Sequence, residues 1–314
     1  MSAPAQPARI AIIGAGHVGA TAAYALMLRA LVSEIVLIDS NMALAEAEAA
    51  DIADANALAR PALIWAGDYE DAASARIAII TAGASTHGSE SRLSVLTRSA
   101  AIISECVRNL RSAGFSGIIV VAANPVDIMA HVAFRHAGLP AKQVIGTGTL
   151  LDSSRLRQAL AEKLDVAPSA IEGLVLGEHG DSEVAAFSTV RVGGLPLEGF
   201  AAPGAQVDQA SVATDVRDAG YRIVSGKGYT SFGVATAIVR ICEAIVRNER
   251  IVLPVSTLLS GQFQISDLYL SLPCLLGAGG VERILLPELS DEEQAALRRS
   301  AAVLRQALAT LKAE

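Results

Sequence analysis

Ile10-Ala11-Ile12-Ile13-Gly14-Ala15-Gly16-His17-Val18-Gly19 decides the fold. Its first four residues are apolar without alternation, which reads as a short strand buried on both faces. A GxGxxG spacing follows, and residues 18–30 then carry helical periodicity. In that setting Gly14 makes the tight turn, Gly16 lets the backbone approach a pyrophosphate, and Gly19 lets helix and strand pack closely. The helix start adds free N–H groups and a positive dipole end. A strand–turn–helix joint with no ligand would use the same glycines, so the next strand carries weight. It spans 35–38 and ends in Asp39, twenty residues after Gly19. A carboxylate there accepts hydrogen bonds from ribose hydroxyls and repels a 2′-phosphate. The pattern points to NAD, held by Gly14, Gly16, His17, Val18, Gly19 and Asp39. A second glycine turn, Thr81-Ala82-Gly83, follows residues 77–80 and would border the same crevice.

Outward from this stretch, apolar runs at 10–13, 35–38, 77–80 and 118–122 alternate with helical patterns at 18–30, 42–58 and 95–113. That βαβ order predicts an α/β fold whose N-terminal part is a doubly wound parallel sheet of the Rossmann type. The second half changes character. Residues 149–164 and 232–247 read as long helices, and 185–192 and 268–275 as antiparallel strands with polar alternation. Val192-Gly193-Gly194-Leu195-Pro196 is a turn between strands. Ser290-Asp291-Glu292-Glu293 is a capping box, opening a helix with Leu297, Ala301, Leu304, Leu308 and Leu311 on one face. The expected division is 1–147, a nucleotide-binding unit, and 148–314, a mixed α+β substrate unit, joined near residues 146–148.

Composition narrows the function. With 52% hydrophobic and 18% charged residues the 314-residue chain is globular. A net charge of -7 argues against nucleic acid, and no apolar run has the length of a membrane span. The start, MSAPAQPAR, lacks a secretory signal pattern. Three widely spaced cysteines without CxxC fit free thiols, a cytoplasmic location and no metal site.

Four further motifs follow in order: Glu90-Ser91-Arg92-Leu93, Ala123-Asn124-Pro125-Val126, Leu151-Asp152-Ser153-Ser154-Arg155, and Gly177-Glu178-His179-Gly180-Asp181. Singly each has an ordinary reading: a solvated arginine, a turn before a helix, a surface ion pair worth under about 1 kcal/mol, a loop histidine. As an ordered set with the glycine turn they resemble the L-lactate/malate dehydrogenase family over nearly the whole chain. Lys227-Gly228-Tyr229-Thr230-Ser231 looks like the family's substrate-pocket helix, on the lactate side.

The resemblance implies reversible hydride transfer between NADH and a 2-oxo acid. Arg155 would clamp the substrate carboxylate with its planar guanidinium. His179 would give the proton in reduction and take it in oxidation. Asp152 would hold the imidazole and favour its charged form, Arg92 would stabilise the developing oxygen charge, and Asn124 would bond near that oxygen and the nicotinamide. Residues 85–90 form a polar loop able to close and carry Arg92 in.

Substrate choice in the family turns on the residue six before the loop arginine, usually Gln in lactate enzymes and Arg in malate enzymes; here it is Thr86. Without a guanidinium a second substrate carboxylate would be unpaired, so a monocarboxylate is expected, with room for larger 2-oxo acids. His87 beside it is the one nearby source of positive charge, and Thr230 suits a small uncharged tail. Malate, or a bulkier hydroxy acid, is the alternative substrate, and an NAD-binding module without turnover the alternative class. Arg157 matches an arginine that binds fructose 1,6-bisphosphate in bacterial relatives, but Glu172 stands where a histidine would be, so no activation by that sugar is expected. The family also implies a homo-oligomer, dimer or tetramer.

Overall fold

The computed structural model describes residues 8–59, 61–84, 92–200 and 207–312, with the backbone alone for 92, 93 and 312. In the first half, strands β1 (Arg9–Ile13), β2 (Glu34–Ile38), β3 (Leu63–Ala66), β4 (Ile77–Ile80), β5 (Ile118–Val121) and β6 (Val144–Gly146) pair in parallel in the order β6-β5-β4-β1-β2-β3. Helices α1 (His17–Leu28), α2 (Met42–Asn56), α3 (Tyr69–Ala72), α4 (Arg92–Ser112) and α5 (Val126–Ala137) connect them. The unbroken apolar runs have a direct cause. On β1, Ile10 and Ile12 join the core on one face of the sheet, while Ala11 and Ile13 join the core on the other. A strand covered on both faces has no polar side. Strand order reverses at β1, which lies between β4 and β2, and this opens a crevice beyond the carboxyl ends of the strands.

The second half comprises α6 (Leu150–Leu164), β7 (Ile171–Leu176), β8 (Val184–Val192), β9 (Leu195–Pro196), α7 (Leu197–Phe200), α8 (Gln209–Lys227), α9 (Phe232–Val246), β10 (Ile251–Ser260), β11 (Ser266–Gly277), β12 (Gly280–Ile284) and α10 (Asp291–Lys312). Strands β7, β8 and β9 form their own antiparallel sheet. The β8–β9 turn holds Gly193 and Gly194 at φ 56° and 86°, the doubly left-handed form that tight hairpins favour. The expected capping box is present: the Ser290 hydroxyl accepts from the Glu293 N–H at 3.2 Å, and Glu293 accepts from the Ser290 N–H at 2.9 Å.

Two expectations need correction. Residues 268–275 do not alternate, because everything from Leu268 to Cys274 on β11 is buried. Strands β10, β11 and β12 extend the large sheet to nine strands among the described residues, through a bridge from Ser256 to Gly146 on β6. Helices α5 and α10 cover one face of β11 and α9 the other, so the strand has no wet side. Residues 227–231 are also not a helix. Lys227 ends α8, Gly228 turns at φ 86°, and Ser231 caps α9. Among the described residues no helix is long and apolar enough to cross a membrane.

Candidate active site

The first glycine turn is tight because backbone fills the space a side chain would need. A Cβ on Gly19 would lie 1.9 Å from the Gly14 carbonyl oxygen, and one on Gly14, itself at φ 105°, would lie 2.6 Å from the Ala82 nitrogen. Thr81 ties the second turn to the first by donating its hydroxyl to the Gly14 carbonyl at 2.7 Å. Gly16 is the opposite case: a Cβ there would meet nothing within 4 Å, which leaves open space in front of the start of α1, whose cap supplies no side-chain acceptor. Gly83 has no steric requirement, since its Cβ would make ordinary contact with Ala123. Asp39 accepts from the Ala15 N–H at 2.7 Å and from the Asn41 N–H at 2.8 Å, one on each oxygen. Oδ1 also accepts from the Ser40 hydroxyl at 3.5 Å, while Oδ2 keeps a second lone pair for a hydroxyl donor. These residues fit a pyrophosphate on the turn and an unphosphorylated ribose beside Asp39.

On the substrate side, α6 is stapled to β7. The Thr149 hydroxyl donates to the Val175 carbonyl at 2.5 Å, and the Val175 N–H donates to the Ser153 hydroxyl at 2.8 Å. The staple sets Asp152 opposite the turn after β7. That turn is fixed by Gly177, at φ 88°, where a Cβ would lie 2.8 Å from the Ser300 hydroxyl. Gly177 also exchanges both backbone hydrogen bonds with Ser271 on β11. The next N–H, of Glu178, donates to Ser300 at 2.8 Å, and the His179 N–H donates to Asp127 at 2.8 Å.

His179 is thereby aimed at Asp152, with Nδ1 and Oδ2 2.5 Å apart. The other carboxylate oxygen of Asp152 accepts from Arg155 Nη1 at 2.9 Å. Asp152 is almost fully buried, while the side chains of Arg155 and His179 keep 18% and 25% exposure, enough to meet a ligand. With Nδ1 committed to Asp152, Nε2 is the nitrogen left for the cleft. Burial acts most strongly on His179 and lowers its proton affinity. The charge and hydrogen bond of Asp152, with the charges of Asp127 and Glu183, outweigh it and raise the imidazole from 6.5 to about 9.

Asn124, Asp152, Arg155, His179, Thr230 and Val18 line one cleft of about 720 Å³ between the glycine turn and the second half of the chain. Arg92 is the first residue of α4, but its side chain lies outside the described residues, as does Thr86 with the whole loop 85–91. Glu172 is exposed on β7, and Arg157 is half-buried on α6 and bonds its own helix at the Ser153 carbonyl.

Sequence reasoning missed several residues in and behind the cleft. Asp127 is 1% exposed and accepts from the Ser256 hydroxyl at 2.6 Å as well as from the His179 N–H. Burial pushes its carboxyl from 3.8 to about 6 against both bonds. Its one signal was an acid in the first turn after Asn124-Pro125. Glu183 on the far side of the His179 turn, and Arg217 and Tyr221 on α8, line the cleft itself. Burial and then the Asp152 charge push the Glu183 carboxyl up. Asp152, His179 and Glu183 each bring a donor atom within 4.8 Å of the others. The Arg155 guanidinium already holds the other oxygen of Asp152 in that cluster.

The comparisons with known proteins agree with this geometry. Residues 8–146 match the family model of the lactate/malate dehydrogenase NAD binding domain, and residues 149–314 that of the family's alpha/beta C-terminal domain. An L-lactate dehydrogenase of Thermus aquaticus is 41% identical over 307 residues, 96% of this chain and 99% of that protein. One of Priestia megaterium is 41% identical over 301 residues, 95% of each. The crystal structure of a lactate dehydrogenase from a Medee basin deep-sea metagenome library superposes with TM-score 0.95 at 38% identity, covering 98% of this chain and 99% of that one. Full-length likeness in both sequence and shape, around a cleft with these donors, has one meaning: the chain belongs to the lactate/malate dehydrogenase family.

Proposed function

We propose that the protein is an NAD-dependent L-lactate dehydrogenase, which reduces a 2-oxo monocarboxylic acid such as pyruvate to the L-2-hydroxy acid and reverses the reaction. The observation that carries this reading is the single chain of contacts His179–Asp152–Arg155 in one cleft: a proton donor and a carboxylate clamp sharing one buried anion. Bound NADH supplies the hydride for the carbonyl carbon. His179 Nε2 gives the carbonyl oxygen its proton and takes one back in oxidation. Because the imidazole holds its proton up to about pH 9, it enters the reduction charged at neutral pH. Arg155 turns its remaining donors to the substrate carboxylate while Asp152 fixes its orientation. Asn124 lines the cleft on the nicotinamide side, and Arg92, from the start of α4, steadies the oxygen.

The cofactor is NAD, held at the Gly14–Gly19 turn and Asp39, with Thr81, Ala82 and Gly83 completing the crevice; His17 and Val18 flank the pyrophosphate. Thr86 and Thr230 set the tail specificity, and the absence of a guanidinium at position 86 disfavours malate. A cytoplasmic homo-oligomer belongs to the same proposal; the three cysteines are free and buried, as a reducing compartment favours. The test is a substrate panel: NADH oxidation with pyruvate, oxaloacetate, 2-oxoisocaproate and phenylpyruvate. Highest kcat/KM with a monocarboxylate is expected. A clear preference for oxaloacetate overturns the assignment, and no turnover with any of the four overturns the activity.

A further inference from the structure

Helix α8 forms one wall of the cleft through Arg217, Gly220, Tyr221 and Val224, yet it is poorly anchored. Of its nineteen residues only Val212 and Val216 are buried, both in the first half. Residues 221–229 are all exposed. By contrast α9, of fifteen residues, buries nine. An element with so few buried contacts belongs to the low-stability end of a fold and moves easily. Two aromatic side chains hold this wall at its edges. Tyr221 donates its hydroxyl to Asp181 at 2.7 Å, on the turn that carries His179. Tyr229, just past the end of α8, stacks on His17 with ring centroids 3.9 Å apart and planes 10° from parallel. Lys227 braces the same ring with its ammonium 4.4 Å from the Tyr229 centroid, and 4.3 Å from that of Phe232 at the start of α9.

The two ends of the stack matter chemically. His17 is the first residue of α1, at the open face of the glycine turn where the pyrophosphate would sit. Thr230, the neighbour of Tyr229, lines the substrate cleft. Between Lys227 and Ser231 there are only three residues, so the same short backbone segment carries Tyr229 and the Thr230 wall.

We propose that Tyr229 is a positioning residue: by stacking on His17 it ties the Thr230 wall and the free end of α8 to the cofactor turn, so that filling the turn orders the substrate pocket. The inference rests on reading Gly14–Gly19 as the NAD turn. An aromatic pair of this geometry contributes only where both rings are held. An anion that fixes the backbone around His17 holds one of them, and the substrate holds the other through Thr230. Coupling of this kind is reciprocal: NADH tightens substrate binding by the same factor as substrate tightens NADH.

The experiment uses NADH with L-lactate, two reduced partners that cannot react together. The dissociation constant of L-lactate is measured with and without NADH in the parent, Tyr229→Ala, Tyr229→Phe, His17→Ala and the double alanine variant. Tyr229→Ala should shrink the coupling factor about threefold to tenfold, the range of one aromatic pair, while Tyr229→Phe keeps it. The double variant should be no worse than Tyr229→Ala. Unchanged coupling in Tyr229→Ala, a Phe variant as poor as Ala, or additive losses in the double variant would each overturn the proposal. Hydrogen exchange provides a readout without substrate. NADH alone should slow exchange at residues 221–231 in the parent and not in Tyr229→Ala; equal protection in both contradicts the proposal. If the parent turns over none of the panel acids, the enzyme assignment falls while the exchange result still decides the role of Tyr229.

Discussion

Asp152→Asn removes the charge that keeps His179 protonated. The imidazole stands at about 9 against an ordinary 6.5, and Asp152 is its principal support. At about 1.4 kcal/mol per pH unit, that gap amounts to roughly 3.4 kcal/mol in favour of the charged ring. Burial opposes it and the smaller contributions of Asp127 and Glu183 remain, so without Asp152 the titration should fall to about 6.5. At pH 8 the parent would then be ~90% protonated and the variant ~3%, a fall in kcat/KM for reduction of ~30-fold from protonation alone. The Asn amide can also present an N–H toward Nδ1, turning the ring to the wrong tautomer and deepening the loss. The assay is kcat/KM for the best 2-oxo acid from pH 5 to 10. Its upper limb, near pH 9 in the parent, should move down by two units or more, with partial recovery of rate near pH 6. An upper limb still near 9 would refute the assignment of that charge to Asp152.

Two further outcomes follow from the geometry. Gly19→Ala forces a methyl to within 1.9 Å of the Gly14 carbonyl, an overpacking that costs roughly 1–3 kcal/mol; NADH binding followed by fluorescence should weaken at least ~10-fold, and wild-type affinity would dismiss the turn as the cofactor site. Asp127 is a buried carboxyl whose folded value lies above its unfolded one, from 3.8 to about 6. Its contribution is therefore full below pH 3.8 and lost as pH rises through about 6, some ~3 kcal/mol in all. Asp127→Asn should flatten the melting temperature between pH 4 and 7, whereas parallel curves for parent and variant would show that Asp127 does not titrate there.

The parallel sheet was legible because its strands are short and apolar throughout: residues 10–13 and 77–80 are β1 and β4 nearly to the residue. The contact between His179 and Asp152 was legible through motif order. Strand β10 was hidden by Pro254, which lies opposite Pro273 on β11 in a register where neither residue has an N–H to give. Residues 268–275 looked half-exposed because Tyr269, Ser271 and Pro273 alternate with Leu268, Leu270 and Leu272. Ser271 is fully buried, bonding the Gly177 turn and the Thr149 N–H, so its polarity serves the site and does not mark a wet face. Helix α8 escaped notice because just two of its residues face a core. Glu183 and Arg217 meet at the cleft only through the fold, and Asp127 reaches the His179 backbone from α5 behind it; no spacing in the chain records that meeting.

Replacing the acid itself is the most direct measurement. In His179→Asn, NADH binding should remain within a fewfold of the parent while single-turnover reduction of the 2-oxo acid falls by orders of magnitude, as loss of a general acid demands. Turnover at the parent's rate, with the same pH profile, would contradict the account.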